Sequence, residues 1–316
     1  MKIVFLDSRT VGPGLDFSPI SDLGDFTMYN DTPQEMVIER LAGVEAVIVN
    51  KTKITKEVID ACPSLKLVCV AATGTNNIDM EYALSKGLQV KNVAGYSTDS
   101  VVQLTYGLLI SLMMHIQYFD RYVKSGEYGS SGFFTHYGRT FNEIAGKRIG
   151  IVGMGTIGKR SAEVGTAFGA EVVYYSTSGK NNSAPYQRVE LDELIKTSDV
   201  IMVHAPLNKD THQLINRPLL RTAKNTAYVV NTGRGMIINE AALVDAVVGG
   251  GIAGAALDVY DYEPLPKDGP IYTMPLRFQN KFIFTPHIAW CSIEARTRLI
   301  QGVANNIKEY LNGDNS

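Results

Sequence analysis

Residues 149–158, Ile-Gly-Ile-Val-Gly-Met-Gly-Thr-Ile-Gly, carry a run of β-branched residues into a glycine-rich turn. The spacing of Gly153, Gly155 and Gly158 is the one that seats a dinucleotide pyrophosphate. The first glycine serves the tight bend, the second the close approach of backbone to phosphate, and the third the packing of helix on strand; N–H groups at Thr156 and Ile157 face the anion. After the next apolar run, Val172-Val-Tyr-Tyr175, an NAD site usually carries an acid that binds the ribose hydroxyls and repels a 2′-phosphate. This chain has Ser176, Thr177, Ser178 and Lys180 there instead. Hydroxyls and an ammonium group favour NADP(H) over NAD(H), although no arginine stands in the usual place.

Three further polar groups follow later strand-like runs, where open α/β sheets place their ligands. They are Arg234 in Asn231-Thr-Gly-Arg-Gly235, Glu263 in Ala256-Leu-Asp-Val-Tyr-Asp-Tyr-Glu-Pro264, and His287 in Thr285-Pro-His-Ile-Ala-Trp290. Singly, a surface arginine, a loop glutamate and a core histidine are commonplace. A cation, an acid and an imidazole gathered at strand ends form a candidate catalytic set. Earlier in the chain, the loop at Thr73 and Gly74 offers backbone N–H groups to an anion, as a nest does, and reads equally as an ordinary turn. Lys51 is either a substrate contact or a solvated lysine.

These groups have to be positioned by regular elements. Apolar runs at 3–6, 46–49 and 67–70 alternate with helical patterns at 33–41 and 56–61, and a second series of runs begins at 149, 172, 200, 227, 252 and 282. The alternation predicts an α/β chain with two doubly wound parallel sheets. A long helix is expected from an N-cap at Thr98 to about Lys124, and another from Ile293 to Leu311 that packs back on the first sheet. The stretch 126–140 reads as a loop that packs on a neighbouring subunit.

At 316 residues, two domains are the reasonable expectation. Thirty Lys and Arg against thirty-two Asp and Glu leave a net charge of −2, which gives no footing for nucleic acid or an anionic membrane. Cys62, Cys69 and Cys291 suit neither a disulfide framework nor a metal site, so a reducing cytoplasm and no metal are expected. The apolar stretch Val101–Tyr118 is interrupted by Gln103, Thr105, Ser111, His115 and Gln117, and is read as a buried helix instead of a membrane span.

The chain resembles the D-isomer-specific 2-hydroxyacid dehydrogenases over nearly its whole length. The glycine turn, 231–235, 258–264 and 285–290 carry the resemblance, with Ala72-Thr-Gly-Thr-Asn-Asn-Ile-Asp79 matching the family's substrate loop. Asn92-Val-Ala-Gly-Tyr-Ser-Thr-Asp-Ser-Val101 and Pro286–Trp290 are most like its glycerate dehydrogenase, or hydroxypyruvate reductase, branch. The resemblance implies a Rossmann cofactor domain, residues 99–290, inserted in a flavodoxin-like substrate domain made of 1–98 and 291–316. It implies hydride transfer from NAD(P)H to a small 2-keto acid and the D-2-hydroxy acid as product. Arg234 would hold the substrate carboxylate and polarise the carbonyl, His287 would be the general acid/base, and Glu263 would orient His287 and favour its protonated form.

Lys51, Thr73 and Gly74 would join Arg234 in binding substrate. On the cofactor side the implied set adds His204, Ala205, Pro206 and Thr211, then Thr232 and Gly233, and lastly Asp258, His287 and Ala289 beside Arg234. Asp258 would contact the nicotinamide end. A homodimer is expected of the family. Gln103 stands where the family often has an acid and Tyr128 where tryptophan is commoner, and Phe133-Phe-Thr-His-Tyr137 is expected to line the pocket. A bulkier 2-keto acid therefore stays open as substrate. A nicotinamide-sensing binding protein of the same fold is the rival reading from another class.

Overall fold

The run Ala46-Val-Ile-Val49 has no residue exposed to solvent, the mark of a parallel strand covered on both faces. In the computed structural model, which describes residues 1–182 and 185–313, this run is the centre of a five-stranded sheet. Its strands are β1 (Lys2–Phe5), β2 (Asp25–Met28), β3 (Ala46–Val49), β4 (Leu67–Val70) and β5 (Gln89–Asn92). All pairings are parallel and the order is β2-β1-β3-β4-β5, the flavodoxin-like order. The period-two alternation of a strand sorts its side chains into two layers. Val4, Val47, Val49, Val68 and Val70 face one layer with Val58 and Ala83. Ile3, Phe5, Ile48, Leu67 and Cys69 face the other.

That second layer is closed by the helix Ile293–Leu311, which buries Ala295, Leu299, Ile300, Val303, Ala304 and Ile307. Ser292 caps it by accepting the N–H of Ala295. The chain divides into two compact units, Met1–Ser97 with Trp290–Ser316 and Thr98–Ala289. Positions 314–316 of the expected substrate domain lie outside the described residues.

The second unit holds seven parallel strands: β6 (Arg148–Val152), β7 (Glu171–Tyr175), β8 (Gln187–Arg188), β9 (Val200–Val203), β10 (Tyr228–Asn231), β11 (Gly254–Leu257) and β12 (Phe282–Phe284). Their order, β12-β11-β10-β9-β6-β7-β8, reverses beside β6 and makes the edge there a topological switch point. The fold class expected from the alternation is thus the one observed. Helix Thr98–Met113 buries Val102, Tyr106, Leu109 and Leu112 against Ile149, Ile151, Val230 and Ala256 of this sheet.

Several local expectations need correction. The long helix breaks at His115, which takes a left-handed φ of 53°, and resumes as Ile116–Lys124 at 63° to the first segment. No glycine or proline marks the break, so nothing in the local pattern announces it. The first segment begins at Thr98 itself, so Thr98 is not its cap. Among the described residues no single helix is long and apolar enough to cross a membrane; the two segments pass that test only as a bent pair.

The pattern at 33–41 forms a short 3-10 turn, Gln34–Met36, and one helical turn, Val37–Arg40. Strands β2, β5 and β8 were not anticipated. In the segment after Gly126, a short helix Glu127–Ser130 precedes a loop in which Phe133, Phe134 and Tyr137 are exposed.

Candidate active site

The glycine turn follows β6 and opens the helix Thr156–Ala167. Gly153 has φ +99°, and a Cβ there would stand 2.7 Å from the backbone nitrogen of Ala205. Its N–H donates to the carbonyl of Tyr175 at 3.0 Å, tying the turn to the end of β7. A Cβ on Gly158 would run into the carbonyl of Gly153. Gly155 differs, because a Cβ there would meet nothing within 4 Å. Two glycines are therefore required by the protein's own packing, and the third borders open space.

The N–H groups at Thr156 and Ile157 belong to the first turn, where a helix offers them no internal acceptor. Open space beside free donors at a positive helix end fits a pyrophosphate.

After β7, Ser176 is buried and its hydroxyl accepts the N–H of Asn181 at 3.3 Å. Thr177 is half-buried, while Ser178 and Lys180 are exposed. After β9 the chain passes through His204, Ala205 and Pro206. His204 Nε2 lies 3.1 Å from Ser161 Oγ, which itself donates to Met202 Sδ. Nε2 is then the protonated nitrogen and Nδ1 an acceptor, which is buried without a partner. Burial pushes the pKa of His204 down to about 4, so the ring is neutral near pH 7. Thr211 closes this loop, donating to the carbonyl of Pro206 at 2.6 Å and accepting from the N–H of Asn208.

At the end of β10 the Asn231 side chain grips the following turn, accepting from Gly233 N and donating to the Arg234 carbonyl. Thr232 is buried and shares a hydrogen bond of 2.7 Å with Thr105. The half-buried Arg234 bends back so that Nη1 donates to the carbonyl of Gly233. Gly233 approaches β9 so closely that a Cβ would stand 2.9 Å from the carbonyl of Val203. Met236 takes φ 58° and donates its N–H to Asp261 at 2.7 Å. The Asp261 N–H is in turn accepted by the buried Glu240, whose pKa burial raises.

At the ends of β11 and β12 the other two candidates meet. His287 Nδ1 lies 2.6 Å from Glu263 Oε2, and Glu263 Oε1 accepts the N–H of Tyr260. His287 sits at φ 54°, its ring partly exposed. Asp258, expected at the nicotinamide end, has no exposed surface. Its carboxylate accepts from Thr285 Oγ1 at 2.6 Å and from the N–H groups of Ile288 and Ala289, both at 2.9 Å. Burial raises its pKa, against these bonds, which lower it. The residue thus grips the His287 loop, a role its sequence position did not signal.

In the first unit, Lys51 is exposed and lies in a turn built on a buried acid that sequence reasoning passed over. Asp7 accepts the backbone N–H groups of Asn50, Lys51 and Thr52 at 2.9, 2.6 and 2.7 Å. Thr73 Oγ1 donates to the carbonyl of Val93, and Asn92 donates to the carbonyl of Thr73. Those bonds fix the Thr73–Gly74 turn through its oxygens. Among the described residues there is no group of three or more His, Cys, Asp or Glu placed to hold a metal ion.

Residues 106–289 match the family described as D-isomer specific 2-hydroxyacid dehydrogenase, NAD binding domain. The chain is 36% identical to a hydroxypyruvate reductase of Blautia hydrogenotrophica over 99% of this chain and 98% of that protein. It is 37% identical to a glyoxylate reductase of Thermofilum pendens over 83% of this chain and 76% of that one. Among solved structures, an acyclic imino acid reductase in complex with NADPH and D-Arg superposes with a TM-score of 0.87 at 33% identity, covering 99% of this chain and 98% of that one. A family match over more than half of the chain and an identity of 36% over nearly all of it place the chain in the D-isomer-specific 2-hydroxyacid dehydrogenase family of NAD(P)-dependent oxidoreductases.

Proposed function

We propose that the protein reduces a small 2-keto acid of the hydroxypyruvate or glyoxylate type to the D-2-hydroxy acid, with NADPH as the favoured donor and His287 as general acid/base. The observation that carries this reading is the 2.6 Å contact between His287 and Glu263. An ionised carboxylate only accepts, so it draws a proton to Nδ1 and leaves Nε2 to give or take a proton at the substrate oxygen. The cofactor, when bound, supplies the hydride. Arg234, charged at any working pH, holds the substrate carboxylate and polarises the carbonyl. Lys51, Thr73 and Gly74 are assigned to substrate binding, and Asp258 to holding the His287 loop.

The unit Thr98–Ala289 is assigned the cofactor, with the glycine turn, the loops at 176–180 and 204–211, Thr232 and Gly233 as its contacts. The NADPH preference is supported by the absence of a carboxylate from Ser176 to Lys180, and by the imino acid reductase that holds NADPH. The substrate class is supported by the hydroxypyruvate and glyoxylate reductases to which the chain is similar.

The test is the initial rate of NADPH and NADH oxidation with hydroxypyruvate, glyoxylate, pyruvate and a bulky 2-keto acid. Fastest turnover is expected with NADPH and one of the first two. Turnover confined to the bulky acid would replace the substrate assignment, and no turnover would favour the binding-protein reading. A second reading, reduction of the imine formed from a 2-keto acid and an amine, is favoured by the imino acid reductase likeness. Adding an amine to the same assay separates the two: only imine reduction would depend on it.

A further inference from the structure

The loop after β7 is where a dinucleotide-binding sheet reads the ribose next to adenine. From sequence this loop offers only hydroxyls and Lys180. The structure adds a guanidinium from elsewhere in the chain. Strand β8 pairs in parallel with β7, and Arg188 is the register partner of Tyr174. From that position its side chain reaches the loop, where Nη1 donates to the carbonyl of Gly179 at 3.0 Å. Nη2 stands 4.0 Å from where a Cβ of Gly179 would be. Arg188 is exposed. Among the described residues neither it nor Lys180 is paired with a carboxylate.

A guanidinium carries five donors in a planar fork, and the Gly179 carbonyl engages one nitrogen of it. That bond holds the side chain against the loop before any ligand arrives, so less freedom remains to be lost on binding an anion. The hydroxyls offer less. Ser176 is buried and bonded to Asn181, while the exposed Ser178, whose Oγ accepts the N–H of Lys180, keeps only its O–H to donate. Among the described residues, the one cation fixed at this edge by a side-chain bond to the loop is Arg188.

We propose that Arg188 is the residue that recognises the 2′-phosphate of NADP(H), with Lys180 adding charge and Ser178 a hydrogen bond. This rests on the NADPH preference proposed above and assigns it to a residue two strands from the glycine turn. A phosphate takes a guanidinium through two parallel N–H donors, a geometry lysine cannot copy.

The test is calorimetric binding of NADPH, NADH and 2′,5′-ADP to the full chain and to its Arg188→Gln and Arg188→Lys variants, without substrate. The wild-type protein is expected to bind NADPH more tightly than NADH. In Arg188→Gln the ratio of the two dissociation constants should fall by roughly 10- to 100-fold, and 2′,5′-ADP should weaken in parallel. Arg188→Lys should fall between the two. A preference for NADPH that survives in Arg188→Gln overturns the assignment to Arg188. Equal loss of both cofactors also overturns it, because a merely structural role would act on both. A wild-type protein that binds NADH as tightly as NADPH overturns the cofactor preference itself.

Discussion

The main-chain N–H of His287 donates to the main-chain carbonyl of Asp258 at 2.9 Å, and the Asp258 carboxylate takes the next two N–H groups. The imidazole is therefore located by an acid beneath its loop as much as by Glu263. Replacing Asp258 with Ala leaves those N–H groups and the Thr285 hydroxyl without an acceptor, at about 1–3 kcal/mol for the buried Ala289 N–H and less for each part-buried partner. Asp258→Ala is expected to lose about 3 kcal/mol or more of unfolding free energy in urea, and to lose turnover with it. Asp258→Asn, which keeps one acceptor oxygen, should fall between. A loss below about 1 kcal/mol in the alanine variant would show that the loop is held by other contacts.

His287→Asn removes the proposed proton donor and leaves the glycine turn untouched. Its kcat should fall by about 10²- to 10⁴-fold, the usual contribution of a positioned acid or base, while NADPH still binds. Glu263→Gln should lower kcat more than it raises KM, since Glu263 acts through His287. Unchanged turnover in His287→Asn would end the acid/base assignment.

The glycines of the turn should separate in their effects. Gly153→Ala forces a Cβ against Ala205 N at a backbone φ of +99°, so it should unfold several degrees earlier than the wild type. Gly155 has φ −79° and open space around it. Gly155→Ala should therefore melt like the wild type and yet bind NADPH at least about 10-fold more weakly, because the methyl group occupies ligand space. Thermal melts and cofactor titrations of the two variants check both halves. Tight NADPH binding in Gly155→Ala would place the pyrophosphate elsewhere.

His204 makes the second unit sensitive to acid. Its folded pKa is depressed to about 4 from 6.5, so its contribution to stability is present above pH 6.5 and lost as pH falls through about 4. The shift corresponds to at most ~3 kcal/mol. Asp258 and Glu240, with pKa values raised by burial, act in the opposite sense and gain on acidification. The informative quantity is therefore the difference between the wild type and His204→Gln, which should shrink between pH 7 and pH 4 in denaturant titrations. A difference independent of pH would remove His204 from the account.

Most of the central strands were legible because burial on both faces makes them continuous apolar runs, as in Ala46–Val49 and Val200–Val203. Strands β2, β5 and β8 were not: Asp25-Phe-Thr-Met28, Gln89-Val-Lys-Asn92 and Gln187–Arg188 are sheet-edge strands with polar or exposed positions. The same division holds in the site. The glycine turn, Arg234, Glu263 and His287 stand out as candidates because strand-end placement is written in local sequence. The contacts of Asp7, Asp258 and Arg188 do not, because each is defined by a partner on another segment. Asp7 holds backbone 43 to 45 residues away, and Asp258 holds backbone 30 and 31 residues away.

The helix Ile293–Leu311 completes one layer of the sheet that begins at Lys2. During synthesis, Ile3, Phe5, Ile48 and Leu67 leave the ribosome long before the helix that covers them. The intervening unit, contiguous in sequence, has all its strands in hand first. Chain growth thus imposes an order: the middle can fold as it emerges, while the beginning waits for the end with an apolar sheet face bare. Slow translation or truncation within the last helix should therefore harm the first unit most, and expose it to chaperones and to aggregation.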